Sequence, residues 1–252
     1  MQIVRLALRL PLLLAMSGVM CGLRLAVWPM VLFSERLDRR LRRALLQTWN
    51  RLFAFIAGIR VECRGPRPAL PFFLVANHLS YLDMLVLCHQ TGCIFVSRED
   101  VEHWPVIGFM SRSLYIIFID RASRRDTKRV NGLISHALEM GDGIVIFPES
   151  HITRGIDIDP FKSSLIEPAC AAGIPVWYAT LNYRTLPGDA PASEVVAWWR
   201  PESFFYHLQR LLRQRGVVAT VYFGETPLQG ADRKELAPRL REAVLRNFTP
   251  LV

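Results

Sequence analysis

A chain of 252 residues with 51% hydrophobic side chains can bury a sizeable core, which excludes a disordered or low-complexity protein and fits one large domain with an appendage. Its formal net charge of +9 is unevenly placed: residues 1–67 hold twelve Arg and no Lys against three acids, whereas residues 68–252 hold nineteen of each sign. Five cysteines, Cys21, Cys63, Cys88, Cys93 and Cys170, include no C-x-x-C pair, so neither a disulfide framework nor a zinc site is indicated and a reducing compartment fits.

Residues 10–33, LPLLLAMSGVMCGLRLAVWPMVLF, contain one charge, Arg24. As a helix this stretch would be about 36 Å long, enough to cross a bilayer. An arginine near mid-bilayer costs at least about 2.5–3.5 kcal/mol, and Pro11 and Pro29 weaken a continuous helix. A kinked segment or a membrane-embedded hairpin therefore competes with a simple span. A secretory signal shares the basic start and apolar run, but no small-x-small site ends this one, and the basic flanks favour the cytoplasmic face of the inner membrane.

Residues 35–57 place Leu37, Leu41, Leu45, Trp49, Leu52 and Ile56 at helical spacing, with Arg36, Arg39, Arg40, Arg42 and Arg43 crowding the first turns. Such a run is often the solvated face of a helix packed on its domain. Following an apolar segment directly, it is read here as an interfacial helix meeting anionic headgroups. No nucleic-acid-binding motif accompanies the arginines, so nucleic acid is not expected as a partner.

From residue 72 short apolar runs alternate with helical periods. FFLVA (72–76), CIFVS (93–97) and YIIFI (115–119) read as strands, as do GIVIFPE (143–149), GIPVWYATL (173–181) and VVATVYFGE (217–225). Helices are expected over 83–90, 124–140 with Gly141 as C-cap, 202–215, and 231–246 around Pro238. The fold class is α/β, a largely parallel sheet flanked by helices, with an N-terminal membrane-associated helical segment over 1–67 and the main domain over 68–252. Ligands of such sheets bind at the carboxyl ends of the strands. Three polar clusters follow strands directly: Asn77–His78, Asp120–Arg121, and Pro148–Glu149–Ser150. Parallel strands would open all three on one edge.

The stretch NHLSYLD, residues 77–83, sets His78 five residues before Asp83. A neutral imidazole, with an ordinary pKa of about 6.5, accepts a proton at neutral pH, and a carboxylate on its other ring nitrogen fixes the tautomer and stabilises the imidazolium. Residues five apart on a helix lie about 140° from each other, so the pair requires His78 in a turn and Asp83 in the first helical turn. Ser80 and Asp83 also form an S-x-x-D helix start, and Ser80 as N-cap would supply that turn. His103, His136 and His207 read as partly exposed helix or surface residues, since none has a partner at metal spacing. Trp198, Trp199, Phe204, Phe205 and Tyr206 read as core or interface belt. There is no G-x-S-x-G elbow, P-loop or H-E-x-x-H pair.

NHLSYLD, IFIDR (117–121), FPES (147–150) and GIPV (173–176), in that order, resemble the blocks of the glycerolipid, or lysophospholipid, acyltransferase family, in particular bacterial 1-acylglycerol-3-phosphate acyltransferases, over roughly residues 70–225. The resemblance implies that His78 takes the proton of an acceptor hydroxyl as it attacks an acyl thioester, with Asp83 orienting His78. It also implies that Asn77, Arg121, Glu149, Ser150 and Arg154 bind substrate, with Arg121 as phosphate ligand. No metal or cofactor is implied; acyl-CoA or an acyl carrier protein is the co-substrate, membrane lipids are the surroundings, and 1-acyl-sn-glycerol-3-phosphate is the simplest acceptor. The sequence departs from the family's F-P-E-G-T at Ser150 and His151 and lacks a glycine near Tyr115. A lyso-aminolipid such as lyso-ornithine lipid is therefore an alternative acceptor, and an anionic-lipid-binding surface protein is the non-enzymatic alternative.

Overall fold

Helix α1 (Gln2–Val27) runs unbroken through Pro11, and a 3₁₀ segment with Pro29 near its start turns the chain into α2 (Glu35–Ala57). This computed structural model describes residues 1–98, 111–119 and 124–251. Ser34 caps α2 by accepting from the Leu37 N–H at 3.3 Å, and Gly58, at φ +75°, closes it in the left-handed region. The two helices form a hairpin whose ends are tied by polar bonds. Trp49 Nε1 donates to Ser17 Oγ at 3.0 Å. Arg24 is buried and grips both carboxylate oxygens of Asp38 at 2.5 and 2.9 Å, besides donating to the Ser113 carbonyl. The lone charge of the apolar stretch is thus neutralised inside the protein.

The arginines of α2 also face inward, against the expectation of a headgroup-binding face. Arg39, Arg42 and Arg43 converge on the buried Asp142, in the turn before the fifth strand, while Arg36 and Arg40 are exposed. At the other end of the hairpin, Arg5 donates to the Arg213 carbonyl at 2.8 Å, and Arg9 donates to those of Leu212 and Gln214 at 3.1 and 2.7 Å. Cations on the last carbonyls of a helix complement its dipole and satisfy groups with no intrahelical partner. α1 is therefore anchored lengthwise on the domain, and its outer face leaves Ile3, Leu8, Leu12 and Val19 exposed. It is long and apolar enough to cross a membrane by length and composition.

Seven strands follow: β1 (Ile59–Arg64), β2 (Phe72–Ala76), β3 (Ile94–Arg98), β4 (Ile117–Ile119), β5 (Gly143–Ile146), β6 (Val176–Thr185) and β7 (Val217–Phe223). Their order is β1-β7-β6-β2-β5-β3-β4. β6, β2, β5, β3 and β4 are parallel; β7 runs antiparallel to β6, and β1 parallel to β7. The central β2 is buried on both faces, as its unbroken apolar run requires. β1 was not among the expected strands, although Ile59, Val61 and Cys63 alternate with Arg60, Glu62 and Arg64 as on a half-buried edge.

Helices with both ends among the described residues follow as α3 (Leu82–Thr91), α4 (Arg124–Glu139), α5 (Glu167–Ala171), α6 (Ala192–Val195), α7 (Phe204–Arg213) and α8 (Arg233–Leu245). They divide into two cores, one per sheet face. Phe72, Leu74 and Ala76 pack with Phe53, Leu82, Leu87 and Leu211; Phe73 and Val75 pack with Val130, Ile134 and Leu240 on the other side. The alternation along β2 is the period of two that a strand imposes. With β2, β5 and β4 parallel, their carboxyl ends open on one edge.

Candidate active site

Asn77 ends β2 and sets up the turn. Its side-chain amide replaces a ladder position, donating to the Leu181 carbonyl at 3.0 Å and accepting from the Leu181 N–H at 2.8 Å. Asn77 was expected to bind substrate, but it is fully buried with both amide atoms taken by β6. The main chain of the turn is held from three further directions. The His78 N–H donates to Glu149 Oε1 at 2.7 Å, the His78 carbonyl accepts from the Thr153 N–H at 3.1 Å, and the Leu79 carbonyl accepts from the Trp198 N–H at 3.1 Å.

On this backbone the His78 ring stacks on Phe147, with centroids 4.1 Å apart and planes 11° from parallel. Its Nδ1 lies 2.8 Å from Asp83 Oδ2. Asp83 is completely buried, and the same oxygen accepts from the N–H groups of Leu79 at 2.6 Å and Ser80 at 2.8 Å. Its other oxygen accepts from the Tyr183 hydroxyl at 2.7 Å. A carboxylate so engaged keeps Nδ1 as the protonated nitrogen, which leaves Nε2 as the acceptor. The side chain of His78 is 16% exposed, enough to meet a substrate hydroxyl from the open edge.

The expected Ser80 cap is not present. α3 starts at Leu82, and Ser80 Oγ is buried without a hydrogen-bond partner among the described residues. Only the returning half of the capping box is made, Asp83 to the Ser80 N–H, because the Asp83 N–H is already donated to the Ser80 carbonyl at 3.1 Å. The His–Asp geometry therefore comes from Asp83 gathering three donors of its own turn.

Glu149 follows β5 at the same edge. Expected to hold the acceptor, it is buried, with Oε1 on the His78 N–H and Oε2 on the Asp159 N–H at 2.8 Å. Both oxygens bind main chain, so it ties the β5 loop to the turn that carries His78. Burial pushes its carboxyl up to about 7, against the two amide bonds that pull it down. Ser150 takes φ +69°, the conformation a glycine adopts freely. A serine holds this conformation at a cost in strain. His151 is exposed, and its Nε2 meets Asp159 Oδ2 at 2.9 Å. Arg154 is exposed, its guanidinium 4.6 Å from the Trp199 ring centroid.

Arg121 and Asp120, directly after β4, lie outside the described residues, as does His103. His136 is paired with Glu35 at 3.0 Å. His207, expected to be partly exposed, is fully buried: Nδ1 meets Tyr81 Oη at 3.1 Å within a group that includes Trp198 and Phe204. Burial first, then Arg210, lowers its pKa to about 4, so it is neutral. Trp199, Phe205 and Tyr206 are exposed. The sequence reading missed Tyr183 and Phe147. Tyr183 continues the alternation of Ala179 and Leu181 two residues beyond the expected end of its strand, and that period was the signal for it.

An imidazole oriented by a buried carboxylate at an open sheet edge is equipped for general-base activation of a hydroxyl. Comparison with known proteins points to acyl transfer. A family model described as Acyltransferase matches residues 59–179. The lyso-ornithine lipid O-acyltransferase of Pseudomonas aeruginosa is 32% identical over 95% of this chain and 92% of its own length. That of Rhizobium meliloti is 29% identical over 86% and 81%. The 1-acyl-sn-glycerol-3-phosphate acyltransferase of Neisseria meningitidis is 30% identical over 60% of this chain and 59% of its own. The crystal structure of the 1-acyl-sn-glycerophosphate acyltransferase of Thermotoga maritima superposes with a TM-score of 0.72 over 98% of this chain and 96% of that one, at 18% identity, and so shares the fold.

Proposed function

Because the chain belongs to the acyltransferase family, whose members act on lysolipids, we propose that it transfers a fatty acyl group from an acyl thioester to the hydroxyl of lyso-ornithine lipid, with His78 as general base. The observation that carries the mechanism is the His78–Asp83 contact of 2.8 Å at the open edge. His78 Nε2 takes the hydroxyl proton as the oxygen attacks the thioester carbonyl carbon. The tetrahedral intermediate collapses, the carbon–sulfur bond breaks, and the imidazolium returns the proton to the departing thiolate. No acyl-enzyme forms. General-base assistance of this kind is worth about 10² to 10⁴ in rate. The thioester is that of coenzyme A or of an acyl carrier protein.

The choice of acceptor is supported by two observations. Similarity to lyso-ornithine lipid enzymes extends over nearly the whole chain, whereas similarity to the Neisseria meningitidis enzyme covers 60% of it. The loop after β5 also carries Ser150 and His151 where the family pattern has Gly-Thr, and the carboxylate of Asp159 lies 2.9 Å from His151 Nε2. Ornithine carries an amine that is protonated at neutral pH, and a nearby carboxylate suits it better than it suits a phosphate.

The protein works at the membrane surface, on the cytoplasmic face of the inner membrane. α1 lies along the domain with its apolar outer face toward the bilayer, since Arg5, Arg9 and Arg24 fix it at both ends. A panel assay of purified protein with acyl-CoA, measuring thiol release on addition of lyso-ornithine lipid or 1-acyl-sn-glycerol-3-phosphate, tests the assignment. Faster release with lyso-ornithine lipid is expected. Release with the phosphate acceptor alone overturns the acceptor, and release with neither acceptor, from acyl-CoA or from acyl carrier protein, overturns the reaction.

A further inference from the structure

Tyr183, on β6, donates its hydroxyl to Asp83 Oδ1 at 2.7 Å, and both residues are buried. The other oxygen, Oδ2, serves His78 Nδ1 and two turn amides. Tyr183 is therefore the partner of Oδ1 among the described residues. Burial raises the pKa of its hydroxyl well above the usual range, and the Asp83 charge adds to this, so the oxygen keeps its proton and remains a donor. Its place is fixed independently of the turn, because residue 183 pairs with Ala219 of β7 and its ring belongs to the core.

We propose that Tyr183 is a positioning residue for the proton transfer, holding Asp83 Oδ1 so that both the plane of the carboxylate and its pull on the His78 imidazolium are set by β6. The inference rests on His78 being the base, and not on which lysolipid accepts the acyl group. A hydrogen bond to an ionised carboxylate disperses its charge and lowers its basicity. Without that donor Asp83 holds the His78 imidazolium more strongly. The neutral, proton-accepting imidazole then appears only at higher pH, and the acid limb of the rate profile moves up.

Among the described residues, the charged and titratable groups around the pair are few. Glu149 and, through it, Asp159 approach from the loop after β5; Tyr183 approaches from β6; Tyr81, in the turn itself, is bonded to His207 of α7. Burial pushes the Glu149 carboxyl up to about 7, so it changes charge in the same pH range. The decisive quantity is consequently the difference between proteins, read on His78 itself.

The experiment uses the full chain in detergent micelles with 15N-labelled histidine, the signal of His78 among the six histidines being identified by its loss in His78→Ala. Its titration is followed in wild type, in Tyr183→Phe, in protein carrying 3-fluorotyrosine at position 183, and in Thr180→Val. In Tyr183→Phe the His78 titration and the acid limb of kcat/KM should move up by about half a pH unit, roughly a threefold loss of rate on that limb, with acceptor KM within about twofold. The fluorinated tyrosine is a stronger donor and should move both down. Thr180→Val removes a buried bond of 2.6 Å to the Val244 carbonyl from the same strand, and should lower thermal stability without moving the titration. Coincident His78 titrations in wild type and both Tyr183 forms would overturn the proposal. If Tyr183→Phe does not fold, the fluorotyrosine protein, which keeps ring and hydroxyl, decides. The titration needs no turnover, so failure of lysolipid transfer is seen separately.

Discussion

Replacing Asp142 by Asn removes the one carboxylate on which Arg39, Arg42 and Arg43 converge, while leaving its shape. The side chain of Arg42 is fully buried and that of Arg39 is 5% exposed, so neither guanidinium gains water when its partner is neutralised. Burial already pulls the Arg42 guanidinium down, and the charge of Asp142 opposes that pull. Breaking a buried ion pair from one side typically costs about 3–5 kcal/mol, because the remaining charge stays desolvated. Arg39 keeps Glu35 at 2.7 Å, which places the expected loss toward the lower end. For a chain of this size about 3 kcal/mol corresponds to a fall in Tm of roughly 6–12 °C. Thermal unfolding followed by circular dichroism measures it, beside Arg36→Gln and Arg40→Gln, whose exposed side chains should change stability by less than about 0.5 kcal/mol. Asp142→Asn with an unchanged Tm, together with weaker binding to anionic vesicles, would refute the reading that α2 directs these arginines into the fold.

Ser150→Gly should stabilise the protein by up to about 1 kcal/mol, since a left-handed non-glycine residue carries about 1–2 kcal/mol of strain and glycine returns part of that as chain entropy; urea unfolding gives the value. Glu149 is held near 7 in the fold against about 4.3 in an unfolded chain, so the native state binds the extra proton between those values. Stability should then fall as pH rises from about 4.3 to 7, by an amount on the order of 1–3 kcal/mol, and that slope should be absent in Glu149→Gln, as read from urea midpoints across pH. Glu149→Gln should also lower turnover, because a single amide oxygen cannot accept from both the His78 and Asp159 N–H groups.

Apolar runs and helical periods were sufficient to locate six of the seven strands and the polar clusters behind β2 and β5, because a parallel strand buried on both faces is written as a continuous apolar segment. β1 escaped because six residues with alternating charges carry a weaker signal than a buried run. The reversal of β7 against β6 was also not legible, since direction depends on the connection and not on strand composition. Local letters were misleading where a distant partner decides the outcome. Arg42 and Asp142 are 100 residues apart, as are Asp83 and Tyr183, and nothing in the α2 sequence says that its arginines have a carboxylate waiting. Arg24 likewise looks like a costly charge in an apolar span until Asp38, 14 residues on, folds back onto it. Ser80 shows the same limit at short range: the cap signature is present, but Asp83 takes the turn's amides toward itself and His78.

In the proposed mechanism His78, oriented by Asp83, activates a lysolipid hydroxyl. Thiol release from acyl-CoA by purified protein, dependent on added lyso-ornithine lipid, measures it directly in wild type and His78→Ala. His78→Ala, folded to the same Tm within a few degrees, should lose about 10² to 10⁴ in kcat. Lysolipid-dependent release by His78→Ala at the wild-type rate would contradict it.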